Sequence, residues 1–534
     1  MSSQIKRFPL SFSHLSFYGN IVPWIIILGA LAIYLNMPLT QDVTWLVYCA
    51  QKWLAGGTPF SVDFEELNPP FNVALYLPLA WLVNHSPFPV GPTVSVGVWV
   101  IMTVVYLGIR HLLNTQTHLN PPLDREHVHR LNTMVAVALF LVPFAQLGQR
   151  EQFLLAFTLP YLLAAAGRAD GQHLPPKTQV FLGLLAGLGF IIKPYALIVP
   201  LLVEGVMARN QRRFWALFNP TSLAIGAICL LYGVWIVVAF PAYIAFYVPL
   251  VTEAYPAFGN NIGRLPPTLF SMVVFVPVIA GLVLAFIRKK TLRPHHHVWI
   301  AACLGFIFLV WMQGKFFLYH SYPFLGAALV CLATLKRIPM RYVLLLFFIT
   351  TAAYASRGFF TDYFSWQSFS HHMGKNLKTE TSMRNMLVLS PNYSLLPVSL
   401  LEKNSLVYAS RYMALWFGPW MLELNEDPKK QNPKNLAYQA YFLKAMGEDI
   451  RHYRPQIIFL DRDKDESVLR ELMKSPDFRA EWETFVPLHV NLGLLSNMFQ
   501  VFIRKDFPEP TRVTRAIEDA VKAVSLNQPP TTPE

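Results

Sequence analysis

Apolar residues along this chain come in long blocks separated by polar links. Runs at 21–37, 92–112, 131–147, 152–167, 215–240, 266–287, 297–312, 316–335 and 342–356 approach the length needed to cross a bilayer, which is ~20 helical residues. Two shorter runs, 178–192 and 194–207, meet at Lys193-Pro194. The pattern predicts a polytopic α-helical membrane protein with about 11 transmembrane helices.

The polar links set an orientation. "RHLLNTQTHLNPPLDREHVHR", "GRADGQHLPPK", "ARNQRR", "RKKTLRPHHH" and "KRIPMR" carry the Lys and Arg clusters, and such clusters stay on the cytoplasmic side. The links at 148–151, at Lys193, at 241–265 and at 313–315 then alternate onto the outer face. This places the N-terminus inside and the C-terminal region outside. One apolar run breaks the alternation if it spans: "PPFNVALYLPLAWLV" at 69–83 would invert every later link. It is therefore read as an interfacial or re-entrant hairpin. It shares a first outer loop, 38–91, with the amphipathic "DVTWLVYCAQKWLAGG". At Lys193-Pro194 two short helices with basic flanks leave a cation recessed below the outer surface, where irregular backbone must line protein or a wet cavity.

Beyond Ser356 the pattern changes. "NMLVLSP", "SLVYAS", "PQIIFLDRD" and "FQVFIRK" read as strands, while "SPNYSLLPVSLLEKN" and "KDESVLRELMKS" read as helices. The expectation is a transmembrane domain over 1–356 and an extracytoplasmic α/β domain over 357–534, whose tail "LNQPPTTPE" is disordered.

Composition narrows the class further. Of 534 residues only 14% are charged and 54% are hydrophobic, against roughly a quarter charged in soluble domains. The net charge of +13 sits in the links, so it orients helices and does not mark a nucleic-acid surface. The first 20 residues are basic but end in no small-residue cleavage site, so the run 21–37 reads as an anchor that stays. Cys49, Cys229, Cys303 and Cys331 show no CxxC spacing, which argues against a disulfide framework and a zinc site.

In this topology polar residues converge on the outer face. Asp42 follows the first helix, and Asp63, Glu65 and Glu66 lie in "GTPFSVDFEELNPPF". Arg150 and Glu151 occupy the second outer link and Lys193-Pro194-Tyr195 the third. Arg264 ends the fourth, and Lys315, Tyr319 and His320 open the fifth. Each has a plain structural alternative: Asp42 as a helix N-cap, Arg150-Glu151 as a solvated turn, Lys193 as a snorkelling cation. His320 could be a satisfied polar group, and the loop acids simply solvated. The "HHH" at 295–297 abuts a basic turn and is not read as a metal site. As a set, carboxylates plus cations on one face suit an anionic ligand and an acceptor that gives up a proton.

The order of these features resembles the GT-C superfamily of membrane glycosyltransferases, in particular the branch with the lipid A aminoarabinose transferase and the protein O-mannosyltransferases. The resemblance rests on Asp42 opening a long outer loop, on "AQKWLAGGTPF" and "NPPFNVALYLPLAWL" within it, on Glu151 after the third helix, on the Lys193-Pro194 step, and on the C-terminal domain. It spans about residues 20–335. The chain has Gln41-Asp42-Val43 where the family often has two acids, and Asn68-Pro69-Pro70 where some members place a cation before the prolines. The resemblance implies transfer of a sugar from a polyprenyl-phosphate donor to a glycan, lipid or protein acceptor, with inversion, at the outer face of a bacterial inner membrane. Asp42 and Glu151 would be the catalytic carboxylates. Arg150, Lys193, Tyr195, Arg264, Lys315, Tyr319, His320 and Glu66 would line the substrate site, with Lys193, Arg264 or Lys315 holding the lipid phosphate. No cofactor is assigned, and a divalent metal stays open. A lipid-linked glycan polymerase or ligase, or a secondary transporter or flippase, are the competing classes. No internal repeat supports the transporter.

A cysteine placed at Asn114 or His118, with the native cysteines replaced, is expected to react with an impermeant thiol reagent only from the cytoplasmic side. Labelling from the outside alone would reverse the faces assigned to 38–91 and to every later link.

Overall fold

The computed structural model describes residues 12–118, 122–143, 146–261, 293–313, 318–335, 369, 372–391, 406–462, 465–492 and 499–525. The chain divides into two compact units, each assembled from three stretches. Unit 1 comprises Met1–Met37, Ser95–Tyr232 and Pro267–Ala353; unit 2 comprises Pro38–Val94, Gly233–Pro266 and Tyr354–Glu534.

Unit 1 is helical. Among the described residues of the chain, four helices are long and apolar enough to cross a membrane: Val90–Gln116, Arg150–Ala169, Pro220–Ala239 and Pro294–Gln313. Ile21–Tyr34 and Pro176–Ile192 are shorter apolar helices. The run expected at 131–147 is a helix Arg125–Ala136 that passes into one π turn, Val137–Leu141. The run at 194–207 opens with a 3₁₀ turn, Pro194–Leu197, and continues as Ile198–Gln211. The run at 316–335 supplies the helix Tyr322–Thr334. Those at 266–287 and 342–356 lie outside the described residues.

Helices so uniformly apolar gain little from a hydrophobic seam in lipid, so close backbone approach matters more. The Pro176–Ile192 helix supplies it with two glycines four apart. A Cβ on Gly183 would run into the Thr221 carbonyl oxygen, and one on Gly187 would lie 2.8 Å from Ile228 Cβ. Both contacts face the Pro220–Ala239 helix, most of which is otherwise unburied.

Unit 2 holds a five-stranded mixed sheet: β1 (Asn385–Leu389), β2 (Val407–Tyr408), β3 (Ile457–Asp461), β4 (Phe485–Leu488) and β5 (Phe499–Arg504). The order is β2-β1-β3-β5-β4, with β1 parallel to β2 and β3, and β5 antiparallel to β3 and β4. The central β3, buried along its whole length, is as continuously apolar as a strand covered on both faces must be. The four expected strands are present, and the helix Asp465–Leu472 lies where acids open "KDESVLREL". Helices Gly418–Glu426, Pro433–Tyr453, Pro476–Trp482 and Pro510–Ser525 were not anticipated, nor was β4. The second expected helix and the tail 526–534 lie outside the described residues.

The first loop belongs to this unit. Its amphipathic stretch is the helix Gln41–Leu54, and 69–83 forms two short helices, Phe71–Ala74 and Leu77–His85. Thr40, not Asp42, is the N-cap: its side chain accepts from Val43 N–H at 3.3 Å. The link expected at 241–265 is also helical, as a π turn Tyr243–Tyr247 followed by Val248–Asn261.

Buried ions organise unit 2. Arg411, 4% exposed, bonds Asp449 at 2.7 Å, Glu448 at 2.9 Å and Glu65 at 3.3 Å. The Glu65 N–H donates to the Arg411 carbonyl at 2.8 Å, and the Tyr441 hydroxyl donates to Glu65 Oε1 at 2.5 Å. Reading Glu65 and Glu66 as solvated loop acids is therefore corrected: they are 5% and 7% exposed. Burial raises the Glu65 carboxyl to about 7, against the lowering pull of Tyr441 and Arg411. Burial is the largest of these influences.

The sign of the pH effect follows. Folded Glu65 keeps its proton at pH values where the unfolded chain, at 4.5, has released it. Its contribution to stability is full below about 4.5 and is lost as pH rises toward about 7. Thermal unfolding of wild type measured across that window is expected to show a downward slope that Glu65→Gln reduces. Parallel wild-type and variant curves would exclude Glu65 as the titrating group.

Candidate functional site

The seam before the Arg150–Ala169 helix is short because its polar groups are used locally. Gly148, at φ 81°, donates its N–H to Gln152 Oε1 at 2.7 Å, and Gln152 Nε2 donates to the Leu139 carbonyl at 3.0 Å. The helix thus starts one residue after extended Gln149, with Arg150 and Glu151 in its first turn. A carboxylate there meets the positive end of the helix dipole. Neither residue is solvated: Arg150 is 8% and Glu151 1% exposed.

Lys193 comes to Glu151 from the opposite chain direction. The Pro176–Ile192 helix stops because the residue before a proline is driven to extended backbone, and Lys193 has φ −135°, ψ 97°. Its Nζ, at the negative end of that helix, donates to Glu151 Oε1 and to Gln313 Oε1. Gln313 is the last residue of Pro294–Gln313. His320 Nε2 lies 3.8 Å from the same Glu151 oxygen, in the 3₁₀ turn Leu318–Ser321. Tyr319 stands edge-on to the His320 ring, centroids 4.5 Å apart. Tyr195 is 38% exposed. Among the described residues Glu151 Oε2 is buried and accepts no hydrogen bond. The cluster is a carboxylate with one oxygen clamped by a cation and the other without a hydrogen bond among the described residues.

The opposite ends of these helices carry a different cluster. Glu204 accepts from Arg168 at 2.6 Å, Tyr161 at 3.0 Å and Asn219 at 2.8 Å. His295 Nδ1 is 2.6 Å from Asp170 Oδ2. Of the histidine run, His295 thus pairs with a carboxylate, and no group of three metal-ligating side chains occurs among the described residues.

In unit 2, Asp42 is half-buried in the first turn of Gln41–Leu54. Glu66 Oε2 accepts from Trp45 Nε1 at 2.6 Å, and its Oε1 accepts from the Asn68 N–H at 3.1 Å and from the Asn68 side chain. Glu66 therefore fastens the loop to the helix. Arg264 and Lys315 lie outside the described residues. Of the sequence-predicted residues the structure gathers Glu151, Lys193 and His320 within unit 1, whereas Asp42 and Glu66 belong to unit 2. Gln313 was missed, its signal being one polar residue at the end of "FIFLVWMQ". Comparison of the chain with protein-family models and with curated proteins finds no match.

The snorkelling reading of Lys193 is corrected: the side chain is 7% exposed and ion-paired. Removing only the cation would strand a buried carboxylate, a cost of about 3–5 kcal/mol. Lys193→Met is therefore expected to lower thermal stability, and adding Glu151→Gln should recover much of the loss. Additive losses in the double variant would mean that the two side chains are not energetically coupled.

Proposed function

We propose that this chain is an integral membrane glycosyltransferase of the GT-C kind. It takes a sugar from a polyprenyl-phosphate donor and passes it to a glycan, lipid or protein hydroxyl at the outer face of a bacterial inner membrane. In this reading the helical region has about 11 spans, and the mixed sheet belongs to an extracytoplasmic domain. The observation that carries it is the buried grouping of Glu151, Lys193 and His320 at helix ends away from the basic links. A charge in an apolar helix is costly and marks a working site by default.

The chemistry is a single displacement at the anomeric carbon. The acceptor oxygen forms the new bond, the lipid phosphate leaves with the electron pair, and a carboxylate takes the acceptor proton. Asp42 is the base and Glu151 the supporting carboxylate. Cations hold the leaving phosphate where charge develops. Lys193 is assigned to this charge balance, with Arg264 and Lys315 the other cations able to bind the phosphate.

A positioned base contributes ~10²–10⁴-fold, so Asp42→Asn is expected to lower transfer by that order while expression and donor binding persist. Thr40 caps the helix, so the amide leaves the cap intact. Glu151→Gln should lose less. The assay is sugar transfer from a polyprenyl-phosphate donor, with thermal stability measured beside it. Near-normal turnover in folded Asp42→Asn would remove Asp42 from the mechanism.

A further inference from the structure

The link "ARNQRRFWALFNP" joins the Ile198–Gln211 helix to the Pro220–Ala239 helix within unit 1. Arg212 caps the first helix in the left-handed region at φ 51°, and Arg213 is extended at φ −136°. Residues Phe214–Phe218 form a 3₁₀ turn. Asn219 ends it, its Oδ1 accepting from the Thr221 and Ser222 N–H groups and its Nδ2 donating to Glu204 Oε2. The turn is therefore anchored to the bundle.

What it presents is unusual for a water-facing link. Phe214 is 66%, Trp215 79% and Phe218 52% exposed. Their rings pack on one another, centroids 5.7–6.1 Å apart. Arg209, Arg212 and Arg213 are exposed. No acid occurs between Ala208 and Pro220. The helices on either side of the link also expose apolar side chains, Leu201 and Leu223. Aromatic rings mark the membrane interface, and juxtamembrane Arg clusters attract anionic lipid.

We infer that this turn is a binding site for an anionic glycerophospholipid, with Phe214, Trp215 and Phe218 at the acyl–headgroup boundary and Arg209, Arg212 and Arg213 around the phosphate. Charge complementarity selects this occupant. An acidic protein partner would leave the three rings unexplained, and a zwitterionic lipid would leave the cations without net attraction. The site lies at the end of the helices away from the Glu151 cluster and does not depend on the proposed reaction.

The test is native mass spectrometry of the full chain in mixed micelles containing equal phosphatidylglycerol and phosphatidylcholine. Wild type is expected to retain phosphatidylglycerol preferentially. R209Q/R212Q/R213Q should lose at least tenfold of that preference, since each basic residue near an anionic surface is worth roughly fivefold. Excess inorganic phosphate should not displace the lipid. Unfolding temperature is measured alongside. If the triple variant does not fold, the three single variants replace it, each losing preference several-fold. Equal retention of the two lipids by wild type, an unchanged preference in the folded variants, or displacement by free phosphate would each overturn the proposal.

Discussion

The contact between Lys193 and Glu151 joins two buried, oppositely charged groups inside unit 1. Neither group can be buried alone without heavy cost, so the end of one helix at Lys193 and the start of the other at Arg150 must meet. Pro194 stops the Pro176–Ile192 helix at Lys193, and the Gly148–Gln152 contact starts the other helix at Arg150. Gln313 and His320 then approach the pair from the Pro294–Gln313 helix and the turn that follows it. The abruptness of the seam at 148–151 follows: a longer loop would carry Glu151 away from its ammonium.

Unit 2 handles buried charge differently. Arg411 serves three carboxylates at once, and two of them, Glu65 and Asp449, are pushed upward by burial. A fork of five donors suits this division, where the point charge of Lys193 suits a single clamp. One arrangement spreads a single cation over several acids; the other relies on a matched pair.

Legibility in the sequence tracked how local each signal was. Lys193-Pro194 stood out because a cation and a helix-stopping residue interrupt an apolar run, and the pair was found where the chain placed it. The strands were readable from short β-branched, aromatic runs such as "QIIFL". The Pro433–Tyr453 helix was not, because its polar positions are numerous and its apolar Leu436 faces outward. β4, with Pro487 in four residues, gave almost no strand signal. Glu65 and Glu66 looked like solvated acids because their partners lie elsewhere: Arg411 is 346 residues from Glu65, and Trp45 is 21 from Glu66. For Asp42 the sequence suggested a capping role that Thr40, two residues earlier, already fills.

The two glycines on the Pro176–Ile192 helix have an effect that reaches beyond packing. A cylinder as uniformly apolar as Pro220–Ala239 carries no polar stripe to choose its angular setting. Notches at Gly183 and Gly187, seated over Thr221 and Ile228, act as a key in a shaft and select one azimuth. That setting decides that Leu223, Leu230 and Leu231 look outward, and it aims the chain entering at Asn219. Two missing side chains thereby determine which face of this helix is left outermost.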